Sequence, residues 1–178
     1  MEYIYVGKIV NTHGIKGEIR ILTDFKYKER ALAVGKKVYI GKDYAEEEVN
    51  SYRVHKQFSM IMMKNINNIN DVLKYKGKNI YTTRDSLNLG DGEYLNDDLI
   101  GFVVLVNGEQ VGKVISYRKD KYQDKIVVNR DEKEYLVPFV CDIIECVDLK
   151  GRTISVKDIK GLLDWGNHYE NRYFDTFS

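Results

Sequence analysis

Apolar and polar residues alternate in short runs along this chain, and glycines or polar turn residues close nearly every run. A period of two marks a half-buried strand rather than a helix. In the first half the alternation predicts strands over Tyr3–Val10, Glu18–Leu22, Lys37–Ile40, Glu47–His55, Phe58–Lys64 and Asn79–Thr82. One short helix is predicted over Asn70–Gly77, opened by a capping Asn or Asp and stopped by Gly77. In the second half the strands pair off. Phe102–Val106 and Gln110–Tyr117 flank Asn107-Gly108, a strong type I′ hairpin signal. Lys125–Asn129 and Tyr135–Val137 flank a polar turn, and Ile143–Leu149 and Thr153–Val156 flank Lys150-Gly151. Three successive hairpins without an intervening helix read as a meander that closes into a barrel or small sandwich.

Between the halves, residues 85–92 lose the periodicity and carry two glycines and little apolar content. They are expected to form a linker on which the two halves move. The expected domains are 1–84, a linker 85–92, 93–165, and a C-terminal tail 166–178. In the tail, Trp165, Tyr169, Tyr173 and Phe177 recur every four residues. That spacing suits one helical stripe docking on the second domain, with a frayed end as the alternative.

Composition narrows the class. The 178 residues are 43% hydrophobic and 31% charged, as in an ordinary soluble globular protein. No apolar run approaches the ~20 residues of a membrane span, and the first residues lack a signal-peptide layout. A cytoplasmic protein is expected, with no membrane partner. Net charge is only +1, but it divides unevenly. Residues 1–85 hold 16 Lys/Arg against 10 Asp/Glu, and residues 86–178 hold 12 against 17. The first half is therefore +6 and the second −5, which suggests a different partner for each. Cys141 and Cys146 stand five apart in a stretch read as extended, on opposite faces and roughly 16 Å apart at ~3.3 Å per residue. They are expected to be structural thiols, neither disulfide-bonded nor sharing a metal.

Catalytic signatures are missing. Gly35 to Asp43 has the wrong spacing for a phosphate loop and ends on Asp where Ser or Thr would hold magnesium. His13, His55 and His168 follow no metal-ligand spacing, and no Gly-x-Ser-x-Gly elbow occurs. Asp97-Asp98 reads as an acidic turn. No cofactor, no metal and no enzymatic activity are expected. The most unusual segment runs from Val6 to Arg20 and contains His13-Gly14-Ile15-Lys16-Gly17-Glu18. It reads either as a plain strand–turn–strand connection or as an exposed loop where Lys8, His13, Lys16 and Arg20 can meet phosphate. Its Gly-x-x-Gly is not that of a KH domain, because strands rather than helices flank it.

That segment resembles the N-terminal signature of the RimM family of small-subunit ribosome maturation factors. The resemblance resumes in order at Asp97-Asp98-Leu99-Ile100-Gly101, at Leu136–Val140 with Ile143–Asp148, and at Gly161-Leu162-Leu163-Asp164. It implies an all-β protein of two tandem β-barrels: a six-stranded translation-factor-type barrel followed by a PRC-barrel. Pro138 would then sit at a sheet edge or strand start. It also implies a monomeric, non-catalytic protein that binds the immature head of the small (30S) ribosomal subunit and assists 16S rRNA processing. Its partners would be 16S rRNA and small-subunit ribosomal protein number nineteen. His13, Lys16 and Arg20 become the candidate rRNA contacts; Tyr94, Leu95, Asp97 and Asp98 become the candidate ribosomal-protein contacts. The chain departs from the family pattern at Tyr94-Leu95, which keeps the first of two adjacent aromatics, and at Tyr122–Lys125, where many members carry a Gly-x-Asn/His-Asp turn. Two other readings stand beside this one. A stand-alone PRC-barrel interaction module without a ribosomal role would lack the His13–Glu18 half, and an enzyme with an uncoded site would show a cleft of clustered titratable groups.

Overall fold

The computed structural model describes residues 1–159. The aromatic stripe from Trp165 to Phe177, the Gly161–Asp164 run and the tail boundary all lie outside the described residues. Contacts divide the chain into two units, Met1–Asp91 and Gly92–Ser178.

The first unit is a closed six-stranded barrel. Its strands are β1 (Tyr3–His13), β2 (Glu18–Leu22), β3 (Lys37–Ile40), β4 (Ala45–His55), β5 (Phe58–Met63) and β6 (Asn79–Thr83). They run in the order β1-β2-β5-β4-β3-β6, and β6 pairs back onto β1. Closure leaves no free edge. Alternation sends Val6, Ile9, Ile19, Ile21, Ile61 and Ile80 inward, all essentially inaccessible to solvent. Each such side chain contributes roughly 1.5–3 kcal/mol relative to exposure. Gly35 and Gly41 adopt positive φ at the two ends of β3, so the Gly35–Asp43 segment is a strand with a turn at each end and not a phosphate loop.

Strand β1 runs three residues past the predicted end. A bulge between Ile9 and Asn11 interrupts the alternation without ending the ladder, and His13 still pairs with Glu18. His13 therefore sits on a strand, not in the loop. The predicted helix starts slightly earlier, at Ile69–Val72, where the Asn68 side chain accepts the Asn70 amide at 2.9 Å. A 3-10 turn, Leu73–Tyr75, follows, and Gly77 adopts positive φ as expected. Single helical turns at Lys28–Ala31 and Arg84–Leu87 were not predicted. One turn is too short to show a period.

The Arg84–Leu87 turn corrects the expected linker. Leu87 is fully buried, Arg30 donates to its carbonyl at 3.1 Å, and Lys36 donates to the Ser86 carbonyl at 2.8 Å. Residues 85–88 thus belong to the barrel, because an apolar anchor and two cations hold them there. Leu87→Ala is expected to cost about 2–5 kcal/mol in urea denaturation; an unmoved midpoint would restore residue 87 to the linker.

The second unit holds β7 (Val103–Val106), β8 (Glu109–Arg118), β9 (Lys125–Arg130), β10 (Lys133–Pro138), β11 (Ile144–Asp148) and β12 (Thr153–Val156). Asn107 and Gly108 both have positive φ, as a type I′ turn requires. The strand order is β10-β9-β8-β7-β12-β11, so the meander is not continuous. β11 does not join β10. Instead β12 crosses over to pair in parallel with β7, and this brings the third hairpin to the other side of the sheet. Leu99, Phe102, Val104, Ile126, Val137 and Ile154 anchor one core cluster. Pro138 ends β10, an edge strand, where its missing N–H costs nothing. Both cysteines are exposed and free, and Cys141 lies in a turn rather than a strand.

Candidate nucleic-acid interface and its relatives

Register across β1, β2, β5 and β4 arranges the outer face of the first barrel in rows. Lys8, Leu22, Phe58 and His55 occupy one row, and Asn11, Arg20, the fully covered Met60 and Arg53 the next. Arg20 is the centre of this face. Its Nη2 donates to His13 Nδ1 at 3.1 Å, and its guanidinium carbon lies 5.2 Å from the centre of the Phe58 ring. The contact needs a neutral His13 with Nδ1 as acceptor. His55 brings a second imidazole within 6.4 Å of His13, centre to centre.

Beside this pair, Arg53 reaches from β4 to Glu18 on β2 with a two-pronged bond, Nε to Oε1 at 2.7 Å and Nη2 to Oε2 at 2.6 Å. The Glu18 bond holds the Arg53 guanidinium protonated above its already high range. Fork-to-fork geometry orients both groups. It also neutralises Glu18, the partner of His13 across the hairpin, while the rows that hold Lys8, His55 and Arg20 contain no Asp or Glu. Arg20 Nε is buried and has no hydrogen-bond partner among the described residues. An unpaired buried donor costs stability, and the fold tolerates that cost at the centre of a basic, aromatic surface.

The hairpin turn Gly14–Gly17 stands at the end of this face. Its shape is set by two contacts to the Asn68–Ile69 segment. The Ile69 amide donates to the Ile15 carbonyl at 3.0 Å, and Gly17 packs so closely on the Asn68 carbonyl that a Cβ would sit 2.9 Å from its oxygen. Lys16 and Ile15 project from the turn into solvent, Ile15 with 83% of its surface exposed. Of the residues singled out by sequence, His13 and Arg20 meet directly, while Lys16 stays on the turn. Arg53, His55 and Phe58 were missed. They come from the neighbouring β4–β5 hairpin, and only the β2–β5 register reveals that they share a face with Arg20.

In the second unit, Tyr94 packs half-buried against the core cluster. Asn96–Leu99 forms a 3-10 turn, and Asp98 Oδ2 accepts the Leu95 amide at 2.8 Å. Asp98 therefore shapes the turn, whereas Asp97 is exposed. Leu95 is half-buried. Nearby, Tyr117 donates to Asp124 at 2.8 Å, and burial together with this bond pushes its phenol well above the usual range. Among the described residues no group of three His, Cys, Asp or Glu side chains could hold a metal ion, and no helix is long and apolar enough to cross a membrane.

Comparison with known proteins agrees along the chain. Residues 4–87 match the RimM N-terminal domain and residues 96–162 match the RimM PRC barrel domain. The ribosome maturation factor RimM of Staphylococcus haemolyticus is 39% identical, with 90% of this chain and 99% of that protein covered. The protein of the same name from Exiguobacterium sibiricum is 32% identical, with 92% and 99% covered. A crystal structure of a 16S ribosomal RNA processing protein RimM from Pseudomonas aeruginosa is 21% identical over 88% of this chain and 97% of that one, with a TM-score of 0.44. With both domain types in order and relatives matched over nearly their full length, this chain belongs to the RimM family, an all-β architecture of a six-stranded barrel followed by a PRC-barrel.

Proposed function

We propose that this protein is a cytoplasmic, non-catalytic ribosome maturation factor that binds the head of the immature small (30S) ribosomal subunit and assists 16S rRNA processing. The observation that carries the reading is Arg20, fixed between His13 and Phe58 on a basic face, within a chain that matches the two RimM domains over residues 4–87 and 96–162. Guanidinium, lysine and aromatic groups on one rigid sheet suit phosphates and exposed bases. The first barrel would meet 16S rRNA there, with Lys16 reaching from the turn. The acidic second unit is suited to a basic protein, small-subunit ribosomal protein number nineteen, with Tyr94 and Leu95 as apolar contacts and Asp97 as a rim charge. Asp98 acts on that surface through the turn it shapes.

Sucrose-gradient co-sedimentation of the full chain tests this. Association with free small subunits, and not with complete ribosomes, is the expected result. Arg20→Ala should weaken that association and flatten its salt dependence by about one phosphate contact. Tyr94→Ala should raise the off-rate from the isolated ribosomal protein while leaving RNA binding unchanged. Equal sedimentation with small subunits and complete ribosomes would sink the proposal.

A further inference from the structure

A second aromatic surface lies on β1, β3 and β6 of the first barrel, and it adjoins the first face through the Lys8–Asn79 pair. Register places Tyr5 on β1, Tyr81 on β6 and Tyr39 on β3 side by side, on the outer face opposite the buried pair Ile40 and Ile80. Two more tyrosines complete the cluster. Tyr3 stacks on Tyr44 with ring centres 3.9 Å apart and planes 7° from parallel, and Tyr44 meets Tyr81 edge-on at 5.1 Å. Tyr5 meets Tyr81 edge-on at 6.0 Å and is 50% exposed.

Simple core packing does not account for this arrangement. Tyr44 has φ of +50°, a left-handed conformation that glycine or asparagine adopts at lower cost. The turn carries an aromatic at that position all the same, and Tyr44 keeps 37% of its surface in contact with solvent.

Tyr81 also forms one wall of a cavity of about 330 Å³, at the small end of ligand sites. Gly41 and Gly77 open it, and Lys42, Lys78 and Asn79 line it. The Lys78 stem lies across Gly41, its Cδ 3.0 Å and its Nζ 3.7 Å from where a Cβ would be, and its Nζ is 6.0 Å from the centre of the Tyr75 ring. Asp43 lines it too, and the two lysines leave the balance positive.

We propose that this tyrosine cluster and the adjoining lysine pocket form a second nucleic-acid site, which takes an unpaired nucleotide of single-stranded RNA, its base on the tyrosines and its phosphate at Lys42 and Lys78. Stacking on aromatic faces beside a basic groove is the general mode for single strands. It differs from the Arg20 face, whose cations are spread along a continuous sheet. The inference rests on the RNA-binding reading above but not on which face carries it.

The test uses the full chain and a short fluorescent oligouridine, with binding followed by anisotropy. The double variant Tyr5→Ala/Tyr44→Ala should weaken binding roughly tenfold or more. Lys42→Gln/Lys78→Gln, both exposed and harmless to the core, should flatten the logarithmic salt slope by about 1.4. This second variant decides the matter if the first fails to fold. Photocrosslinks from uridine should map to the tyrosines and to residues 78–81. Unchanged affinity in the lysine variant, or crosslinks confined to residues 8–20 and 53–58, overturns the second site and leaves the Arg20 face standing. Loss of ribosomal-protein capture with unchanged oligouridine binding would make this a protein-docking face and overturn the proposal equally. Crosslinks on neither face, together with no sedimentation on small subunits, would instead remove the ribosomal reading itself.

Discussion

Gly17→Ala is expected to remove about 2–5 kcal/mol of stability from the first barrel and to release the chain from small subunits. Two costs add. Gly17 has φ of +83°, where an L-residue pays about 1–2 kcal/mol. The new methyl would also stand 2.9 Å from the Asn68 carbonyl oxygen, which is backbone. Asn68 cannot retreat freely, because its side chain caps the following helical turn and the next amide is bonded to Ile15. Relieving such an overlap costs typically about 1–3 kcal/mol. Gly14→Ala is the matched control. Gly14 has φ of +70° but open space around its Cβ, so it pays the backbone cost alone. Urea midpoints should rank wild type, then Gly14→Ala, then Gly17→Ala. Equal midpoints for the two variants would show that the turn is not docked.

Gly112→Val is expected to have the larger effect on the second unit, about 3 kcal/mol or more. Gly112 lies in β8, and a Cβ there would sit 2.5 Å from the Asn129 carbonyl oxygen and 2.7 Å from Val128 Cγ1. Both neighbours belong to β9, the next strand, so the clash cannot be relieved by turning a side chain. The β8–β9 ladder has to open. Hydrogen exchange should show lost protection at Val114, Ile126 and Val128. Retained protection there would mean that the sheet absorbs the residue as a further bulge.

The residues that proved legible in the sequence share one property: their partners are near in the chain. Glu18–Leu22 and Thr153–Val156 alternate cleanly and Lys37–Ile40 is a short apolar run between glycines, and the observed limits of all three match. His13 and Arg20 fall on the two arms of one hairpin, so the sequence placed them near one turn, but their direct contact depends on β1 running on to His13. The extension of β1 was hidden because the bulge at Asn11 breaks the period while the ladder continues. Polar neighbours conceal the single buried leucine that ties residues 85–88 to the barrel. Arg53, His55 and Phe58 depend on β2–β5 pairing between distant segments, and local periodicity carries no record of register between strands.

The parallel pairing of β7 with β12 governs the order in which the molecule can be completed during its own synthesis. The first barrel closes once β6 has been made, because β6 supplies the seam with β1 and β3. The second sheet cannot gain its β7–β12 ladder until Thr153–Val156 has been translated, near the end of the chain. Non-local pairing of this kind is slow, and earlier units fold first as they emerge. The nascent protein therefore carries a finished basic barrel while its acidic half is still an open chain. For that interval an unpaired β7 edge is the segment most in need of protection from wrong partners.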